Sequence, residues 1–364
     1  MSATLDSTPA ADGFRMPAEF EPHDGCWMAW PERGDNWRLG AEPAQRAYVE
    51  VATAIAASEP VTMGVSDTCF EHARGLLPES VRVVELATDD AWLRDTGPTF
   101  VVDGRGGRRG VDWHFNAWGG HLGGLYAPWD RDERVARKVL EVEGADRYRA
   151  PLVLEGGAVQ VDGEGTVLST EECLLNPNRN PELAREQIEA ALLDYLGAEK
   201  VVWLGRGVFG DETDGHVDNL ACFAAPGVVL LTWTDDEADP QHAISRDARE
   251  RLEAATDARG RSFEVVPLPS PGPLLSTDEE AAGVELVPGT KPRRGGERLA
   301  ASYANFYAGN DRIVFPLLDE RTDAAAAAVL GERFPGREVV GVPGREILLG
   351  GGNVHCITQQ VPRA

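Results

Sequence analysis

Four times along this chain, two short β-prone runs are joined at a turn dipeptide and then followed by an amphipathic helix pattern. Phe100-Val101-Val102 meets Asp103-Gly104, and Ala158-Val159-Gln160-Val161 meets Asp162-Gly163. Asn219-Leu220-Ala221-Cys222-Phe223 runs to Pro226-Gly227 and on into Val228-Val229-Leu230-Leu231. Tyr303-Ala304-Asn305-Phe306-Tyr307 meets Gly309-Asn310 ahead of Ile313-Val314-Phe315. Glycine beside Asp, Pro or Asn reverses a chain within a few residues, so each pair reads as a hairpin. Helix patterns rich in Ala, Leu, Glu and Arg fall near 41–58, 67–77, 131–143, 181–196, 241–256 and 323–333. The unit strand, turn, strand, helix thus recurs at intervals of roughly 60–80 residues. Leu152-Val153-Leu154-Glu155-Gly156-Gly157 faintly echoes Ile347-Leu348-Leu349-Gly350-Gly351-Gly352.

A fifth unit can be assembled only by joining the chain ends. The terminal strand holding Cys356 would pair near Cys26-Trp27-Met28-Ala29-Trp30, with helix 41–58 after it. Closed this way, the chain is an α/β ring forming a single domain over 16–364, without a linker. An open α/β sheet of two domains also accommodates these elements, less economically. Residues 1–15, polar and proline-containing, are expected to be a flexible tail. Residues 267–297, rich in Pro, Gly and acidic side chains, read as a long surface loop able to serve as a lid.

Composition narrows the partners. With 35 basic against 60 acidic residues the net charge is −25, which argues against nucleic acid or an anionic membrane. It favours encounter with a small cation, although the same charge also serves solubility. Apolar residues at 42% and charged residues at 26% are ordinary for a soluble protein with a sizeable core. Cys26, Cys69, Cys173, Cys222 and Cys356 are far apart and never form CxxC. That pattern suggests neither a disulfide framework nor a zinc knuckle, and points to a reducing cytoplasm. There is no basic-then-apolar leader pattern, and no apolar run approaches the ~20 residues of a membrane span.

Chemistry is concentrated where hairpin strands should begin with apolar residues and instead begin with polar ones. These starts are Trp92-Leu93-Arg94-Asp95, Glu155-Gly156-Gly157, His216-Val217-Asp218-Asn219 and His355-Cys356. Around a pseudo-symmetry axis they would converge as one thiol, one imidazole and three carboxylates. Strand alternation puts His216 and Asp218 on one side and sets His355 opposite Cys356, so His216 is the expected partner base. Each residue alone has a structural alternative: a satisfied core histidine, an Arg94–Asp95 ion pair, a turn glutamate, an inert buried thiol. Gly205-Arg206-Gly207-Val208-Phe209-Gly210 matches a dinucleotide fingerprint, but Asp211-Glu212-Thr213-Asp214-Gly215 follows it where a helix should open. A nicotinamide site is therefore rejected. A metal site is not expected, because HExxH and repeated acidic ladders are missing.

In its ordered motifs the chain resembles the agmatine deiminases, in the peptidyl-arginine deiminase-like branch of the guanidine-modifying superfamily. The resemblance runs from Met16-Pro17-Ala18-Glu19-Phe20-Glu21-Pro22-His23 to the C-terminal run. Between them come Trp30-Pro31-Glu32-Arg33, Asp90-Ala91-Trp92-Leu93-Arg94-Asp95-Thr96-Gly97-Pro98 and Phe115-Asn116-Ala117-Trp118-Gly119-Gly120. Leu154-Glu155-Gly156-Gly157, the run from Glu171-Glu172-Cys173 to Asn180-Pro181, and Gly215-His216-Val217-Asp218-Asn219 complete it. It implies a five-bladed α/β propeller (pentein) of pseudo-repeated ββαβ units around a central pocket. Cys356 would be the nucleophile, His216 the general acid/base, Asp95 and Asp218 the grip on a guanidinium, and Glu155 a further acid beside His216. Trp92 and Glu212 would lie near the substrate chain and amine. The implied reaction hydrolyses agmatine to N-carbamoylputrescine and ammonia through an S-alkylthiouronium, on the route to putrescine, with neither metal nor organic cofactor. A homo-oligomer, dimer or tetramer, is also implied. The chain departs from the family at Asp214, where Asn usually precedes the Gly-His pair. With Asp211 and Glu212 this gives an acidic cluster expected at the pocket mouth, favouring a cationic tail over the α-carboxylate of arginine. Free or peptidyl arginine, or a different guanidino-amine, remains the alternative substrate.

Overall fold

A parallel strand pair needs a crossover of a dozen or more residues, and the amphipathic helices supply it. The computed structural model of the chain describes residues 2–364. In the first unit Thr99–Val102 pairs antiparallel with Arg108–His114, and helix Val135–Glu143 returns the chain to strand Asp146–Val153, parallel to the second. The same order recurs with Gln160–Val161, Thr166–Thr170, helix Arg185–Leu196 and Lys200–Leu204. It recurs again with Ala221–Ala225, Val228–Trp233, helix Pro240–Ala254 and Glu264–Pro269. Tyr307–Ala308, Arg312–Leu317, helix Asp323–Arg333 and Glu338–Pro343 form the fourth.

The fifth sheet joins the chain ends, as the sequence led us to expect. Thr358–Pro362 pairs antiparallel with His23–Ala29, with Gln360 opposite Cys26, and helix Glu42–Ala56 leads to Val61–Val65. Helix Phe70–Leu76 then adds a further parallel strand, Val81–Glu85. Local chemistry sets the helix limits. Asp239 caps helix Pro240–Ala254 by accepting from the Gln241 N–H, and Pro240 fills the first turn, where no N–H donor is needed. Gly144, at φ 66°, closes helix Val135–Glu143 in the left-handed region. Ile188, Leu192 and Leu196, one helical turn apart, bury the inner stripe of their helix against the second sheet. Each such side chain contributes about 1.5–3 kcal/mol.

Neighbouring sheets touch in sequence. Thr358–Pro362 packs on Thr99–Val102, Gln160–Val161 on Ala221–Ala225, and helix Glu42–Ala56 on Glu338–Pro343. The contact between the fourth sheet and the chain-end sheet is polar and buried. The Tyr307 hydroxyl donates to Glu59 Oε1 (2.5 Å), His23 Nδ1 lies 3.1 Å from the same oxygen, and Asn310 bonds both backbone groups of His23.

Three expectations change on contact with the structure. The N-terminal segment, expected to be flexible, is docked: Thr4–Leu5 adds a parallel strand beside Asp146–Val153, and Arg15 bridges to Val102. Backbone pairing supplies what its polar composition could not advertise. The polar runs are also not strand starts. Leu93–Thr96, Gly156–Ala158 and Val217–Leu220 are single helical turns ahead of their strands, and His355-Cys356 lies in a turn. Alternation therefore does not sort these side chains. Finally, 267–297 begins within a strand and contains helix Asp278–Ala282. It is tied down by the Glu285 N–H to the Gly34 carbonyl and the Lys291 N–H to the Leu125 carbonyl. Among the described residues no helix is long and apolar enough to cross a membrane.

Candidate active site

The single turns preceding the strands point their polar side chains at one buried space. Its centre is marked by Gly157, where an added Cβ would stand 2.6 Å from His216 Nδ1, 2.9 Å from Asp218 Oδ2 and 3.0 Å from Asp95 Oδ1. Only a residue without a side chain leaves that space open. Gly352 does the same for the thiol, since a Cβ there would meet Trp92 at 2.6 Å and Cys356 Sγ at 3.0 Å.

Asp95 accepts from Trp118 Nε1 and from the Gly157 N–H, both at 2.9 Å. His216 Nδ1 lies 3.9 Å from Asp95 Oδ2 and has no hydrogen-bond partner, although it is buried. Its Nε2 faces Glu155 Oε2 at 3.4 Å. The other Glu155 oxygen accepts from Arg179 Nε (2.8 Å), a fully buried ion pair. Asp218 Oδ2 lies 2.8 Å from His355 Nδ1 and 3.6 Å from Cys356 Sγ, whereas Asp218 Oδ1 is buried and unpartnered. Asn305 Nδ2 donates to Cys356 Sγ at 3.1 Å.

Electrostatics follow from this packing. Burial, then the negative charges of Asp218 and Asp95, pushes the Cys356 thiol well above its ordinary value. Burial also raises Asp95, with Asp218 and Glu155 adding to it against His216. For His216 burial opposes the charge, but Asp95, Cys173 and Glu155 outweigh it and hold the imidazole well above the usual range. Burial would raise Glu155, yet Arg179 and His216 bring it below the ordinary carboxylate value. The space between these groups is thus bordered by carboxylates, a protonated imidazole and a neutral thiol.

A narrow cavity opens here, walled by Trp92, Trp118 and Tyr126 and reaching Asp95 and Cys356. Asp90 aligns its aromatic wall by accepting from Trp37 Nε1 (2.7 Å) and Trp92 Nε1 (2.9 Å), whose rings stack at 5.0 Å. Thr290, Lys291 and Arg293, from the 267–297 segment, line the same cavity as Cys356. A neighbouring cavity lies beyond Arg293 and reaches neither Cys356 nor Asp95.

Cys356, His216, Asp95, Asp218 and Trp92 are brought together as the sequence led us to expect. Glu155 stands behind His216, on the side of the ring away from Asp95. The acidic cluster at 211–214 is dispersed. Asp211 accepts the N–H groups of Thr213 and His216, and burial first of all pushes it up to about 6. Glu212 borders the neighbouring cavity, paired with Arg293 (2.5 Å) and Lys291 (3.2 Å). Asp214, left-handed at φ 61°, accepts from Asn178 (2.7 Å) and pairs with Arg179 (3.1 Å). Asp214 therefore faces a structural arginine instead of the pocket, because partners distant in sequence reach it first.

Sequence reasoning overlooked Asn305, Arg179, the contacts of His355 and the Arg293–Glu212 pair. Asn305 had a signal, being the polar residue before the fourth hairpin strand. Arg179 lies within the run from Glu171 to Pro181 that carries the family resemblance, and the remaining contacts had no signal. Glu155, Cys173 and His216 present donor atoms within 4.8 Å of one another, a set able to hold a divalent cation. The Arg179 guanidinium on Glu155 opposes that occupancy.

Two carboxylates facing one space beside a thiol and an unpartnered imidazole nitrogen can bind a planar cation and attack its carbon. Comparison with known proteins places that geometry. An agmatine deiminase of Pseudomonas putida is 58% identical over 361 residues, covering 99% of this chain and 98% of its own. One from Pseudomonas aeruginosa is 58% identical over 358 residues, covering 98% and 97%. The solved agmatine deiminase of Enterococcus faecalis superposes with a TM-score of 0.97 at 47% identity, covering 100% of both chains. The family model for Porphyromonas-type peptidyl-arginine deiminases matches residues 15–362, so the hairpins, the turns and every group in the pocket fall inside the match. By that extent of agreement, the chain belongs to the Porphyromonas-type peptidyl-arginine deiminase family.

Proposed function

We propose that the protein is an agmatine deiminase, hydrolysing agmatine to N-carbamoylputrescine and ammonia in the cytoplasm on a route to putrescine. One observation carries this reading: His216 Nδ1, buried without a partner, stands with Asp218 Oδ2 and Asp95 Oδ1 around the space that Gly157 keeps open, and Cys356 Sγ lies 3.6 Å from the same Asp218 oxygen. A guanidinium is planar, permanently charged and solely a donor, so paired carboxylates such as Asp95 and Asp218 are its complement. Its positive charge also reverses the field that holds Cys356 protonated, so substrate arrival favours the thiolate.

In the first half-reaction the Cys356 thiolate forms a bond to the guanidinium carbon. The C–N bond to one terminal nitrogen breaks, His216 supplies the proton, and ammonia leaves an S-alkylthiouronium on the enzyme. His216 then takes a proton from water, the hydroxide adds to the same carbon, and the C–S bond breaks to release the urea product. Glu155 and Arg179 keep the His216 ring charged and oriented. Trp92 lies along the alkyl chain, and Glu212 offers its charge to the distal ammonium once Arg293 and Lys291 share it. The similarity of the chain to agmatine deiminases supports this substrate over arginine.

The five sheets are read as blades of one closed propeller over 16–364, supported by the succession of sheet contacts and by the sheet that joins the chain ends. The reading includes a homo-oligomer, dimer or tetramer, to be sized by light scattering. The central test is ammonia release across a guanidino panel: agmatine, arginine, a peptidyl arginine and longer guanidino-amines. Agmatine should give the highest kcat/KM, and Cys356→Ala should abolish release while the fold survives. A better substrate, or a fully active Cys356→Ala, would refute it.

A further inference from the structure

Each of the two carboxylates facing the pocket is backed by a histidine, each histidine by a glutamate, and each glutamate by an arginine. One line runs Asp95, His216, Glu155, Arg179, and the other Asp218, His355, Glu19, Arg94. They differ in tightness. In the first, the histidine contacts measure 3.9 and 3.4 Å, and His216 Nδ1 is unpartnered. In the second, His355 Nδ1 lies 2.8 Å from Asp218 and Nε2 lies 2.7 Å from Glu19, which Arg94 holds at 2.9 Å. A nitrogen free toward the pocket can exchange a proton with a reactant. A ring engaged at both nitrogens cannot do so without breaking a charged hydrogen bond.

The two carboxylates also depend differently on their histidines. Asp95 has the Trp118 indole and the Gly157 N–H as fixed donors. Asp218 receives only His355 Nδ1 and Cys356 Sγ among the described residues. Cys356 must lose its proton to react, which turns its contact with Asp218 into repulsion and leaves His355 as the sole donor. Both ring nitrogens can donate to carboxylates only in the imidazolium form. We infer that His355 is a positioning residue, an imidazolium clamped by Glu19 that holds Asp218 Oδ2 at the edge of the guanidinium space while the thiolate forms.

The groups that face His355 are Asp218, Glu19, Arg94 and the Gln160 amide, with Asn305 on its backbone. Burial and Arg94 oppose its charge, and Glu19 and Asp218 outweigh them, so its pKa stands above the ordinary value. The sign of the pH effect follows. Loss of the Glu19 charge lets the imidazolium release its proton at lower pH, and the neutral ring no longer brings a positive charge to Asp218 as the thiolate forms.

This inference rests on the guanidine-deiminase reading, and its test separates the two. His355→Asn keeps an amide N–H near the position of Nδ1, and His355→Gln keeps one near Nε2. We expect kcat/KM for agmatine to fall about 10-fold in His355→Asn and about 100-fold in His355→Gln. Glu19→Gln should lose less at neutral pH, with the alkaline limb of its kcat/KM profile lowered by about one unit. A second readout needs no turnover: alkylation of Cys356 by 2-chloroacetamidine, whose amidinium the carboxylates would grip, against neutral iodoacetamide. The amidinium preference of the wild type should fall in the order Asn variant, then Gln variant. Equal losses in the two His355 variants, or a wild-type alkaline limb in Glu19→Gln, would overturn the inference. A wild type inert toward agmatine that keeps the amidinium preference would instead sink the substrate assignment and leave this inference standing.

Discussion

Replacing Gly157 by alanine isolates the space between the reacting groups. The backbone there is not left-handed, so alanine brings no conformational strain of its own. Its Cβ would stand 2.6 Å from His216 Nδ1, which is 0.8 Å inside the 3.4 Å edge of ordinary contact. It would also stand 2.9 Å from Asp218 Oδ2 and 3.0 Å from Asp95 Oδ1. Relief requires these side chains to retreat by several tenths of an ångström, and the methyl occupies volume meant for the guanidinium. Misplacement near 1 Å costs about 100-fold in rate, and overpacking of a tight site costs about 1–3 kcal/mol of stability. Gly157→Ala should therefore keep a folded protein, with a melting temperature lowered by a few degrees, while kcat/KM for ammonia release falls at least about 100-fold. Gly75→Ala, within helix Phe70–Leu76 where an added Cβ has nothing within 4 Å, should keep wild-type activity and melt no lower than the wild type. Activity of Gly157→Ala within about 3-fold of wild type would show that the three groups do not converge as argued.

Other consequences can be measured directly. Arg179→Met leaves Glu155 buried without its cation, so urea denaturation should show a loss of about 3–5 kcal/mol; an unchanged midpoint would contradict the buried pair. Because the Cys356 thiol is raised in the free protein, its alkylation by iodoacetamide should be slow at neutral pH and still climb above pH 9. A rate that plateaus near neutrality would mean a preformed thiolate. Glu19 is held down to about 2, Arg94 and His355 overcoming the effect of burial. A depressed carboxylate stabilises the fold above its unfolded value near 4.5, and that contribution is lost as pH falls toward about 2. Glu19→Gln should flatten this acid limb in a melting series. Arg293→Ala leaves Glu212 with Lys291 alone and removes a long side chain that lines both cavities. The ratio of kcat/KM for a guanidino-amine one methylene longer than agmatine over agmatine should rise about 10-fold, and an unchanged ratio would deny Arg293 that role.

Much of this molecule was legible beforehand because its signals are local. Turn dipeptides and helix periodicity located the hairpins and the helices after them, and polar residues in apolar surroundings singled out Cys356, His216, Asp95 and Asp218. What misled was the assumption that those residues lie on strands. Single helical turns replaced the strand starts, so the alternation that dismissed His355 did not apply. The observed ground for choosing His216 is different: its Nδ1 is free, and both nitrogens of His355 are taken.

By itself the sequence determined the order of the elements, the pairing of the chain ends and the identity of the groups available for chemistry. Each of these depends on neighbours within a few residues or on a period that repeats. Only the tertiary structure decided which charges are spent on one another. Arg179 is 35 positions before Asp214 and 24 after Glu155, yet it takes both. Arg293 comes 81 residues after Glu212, and His355 comes 137 after Asp218. Pairing falls off with distance in space and is indifferent to distance along the chain. Which carboxylates remain open to a substrate is therefore settled only once the sheets have brought their turns together.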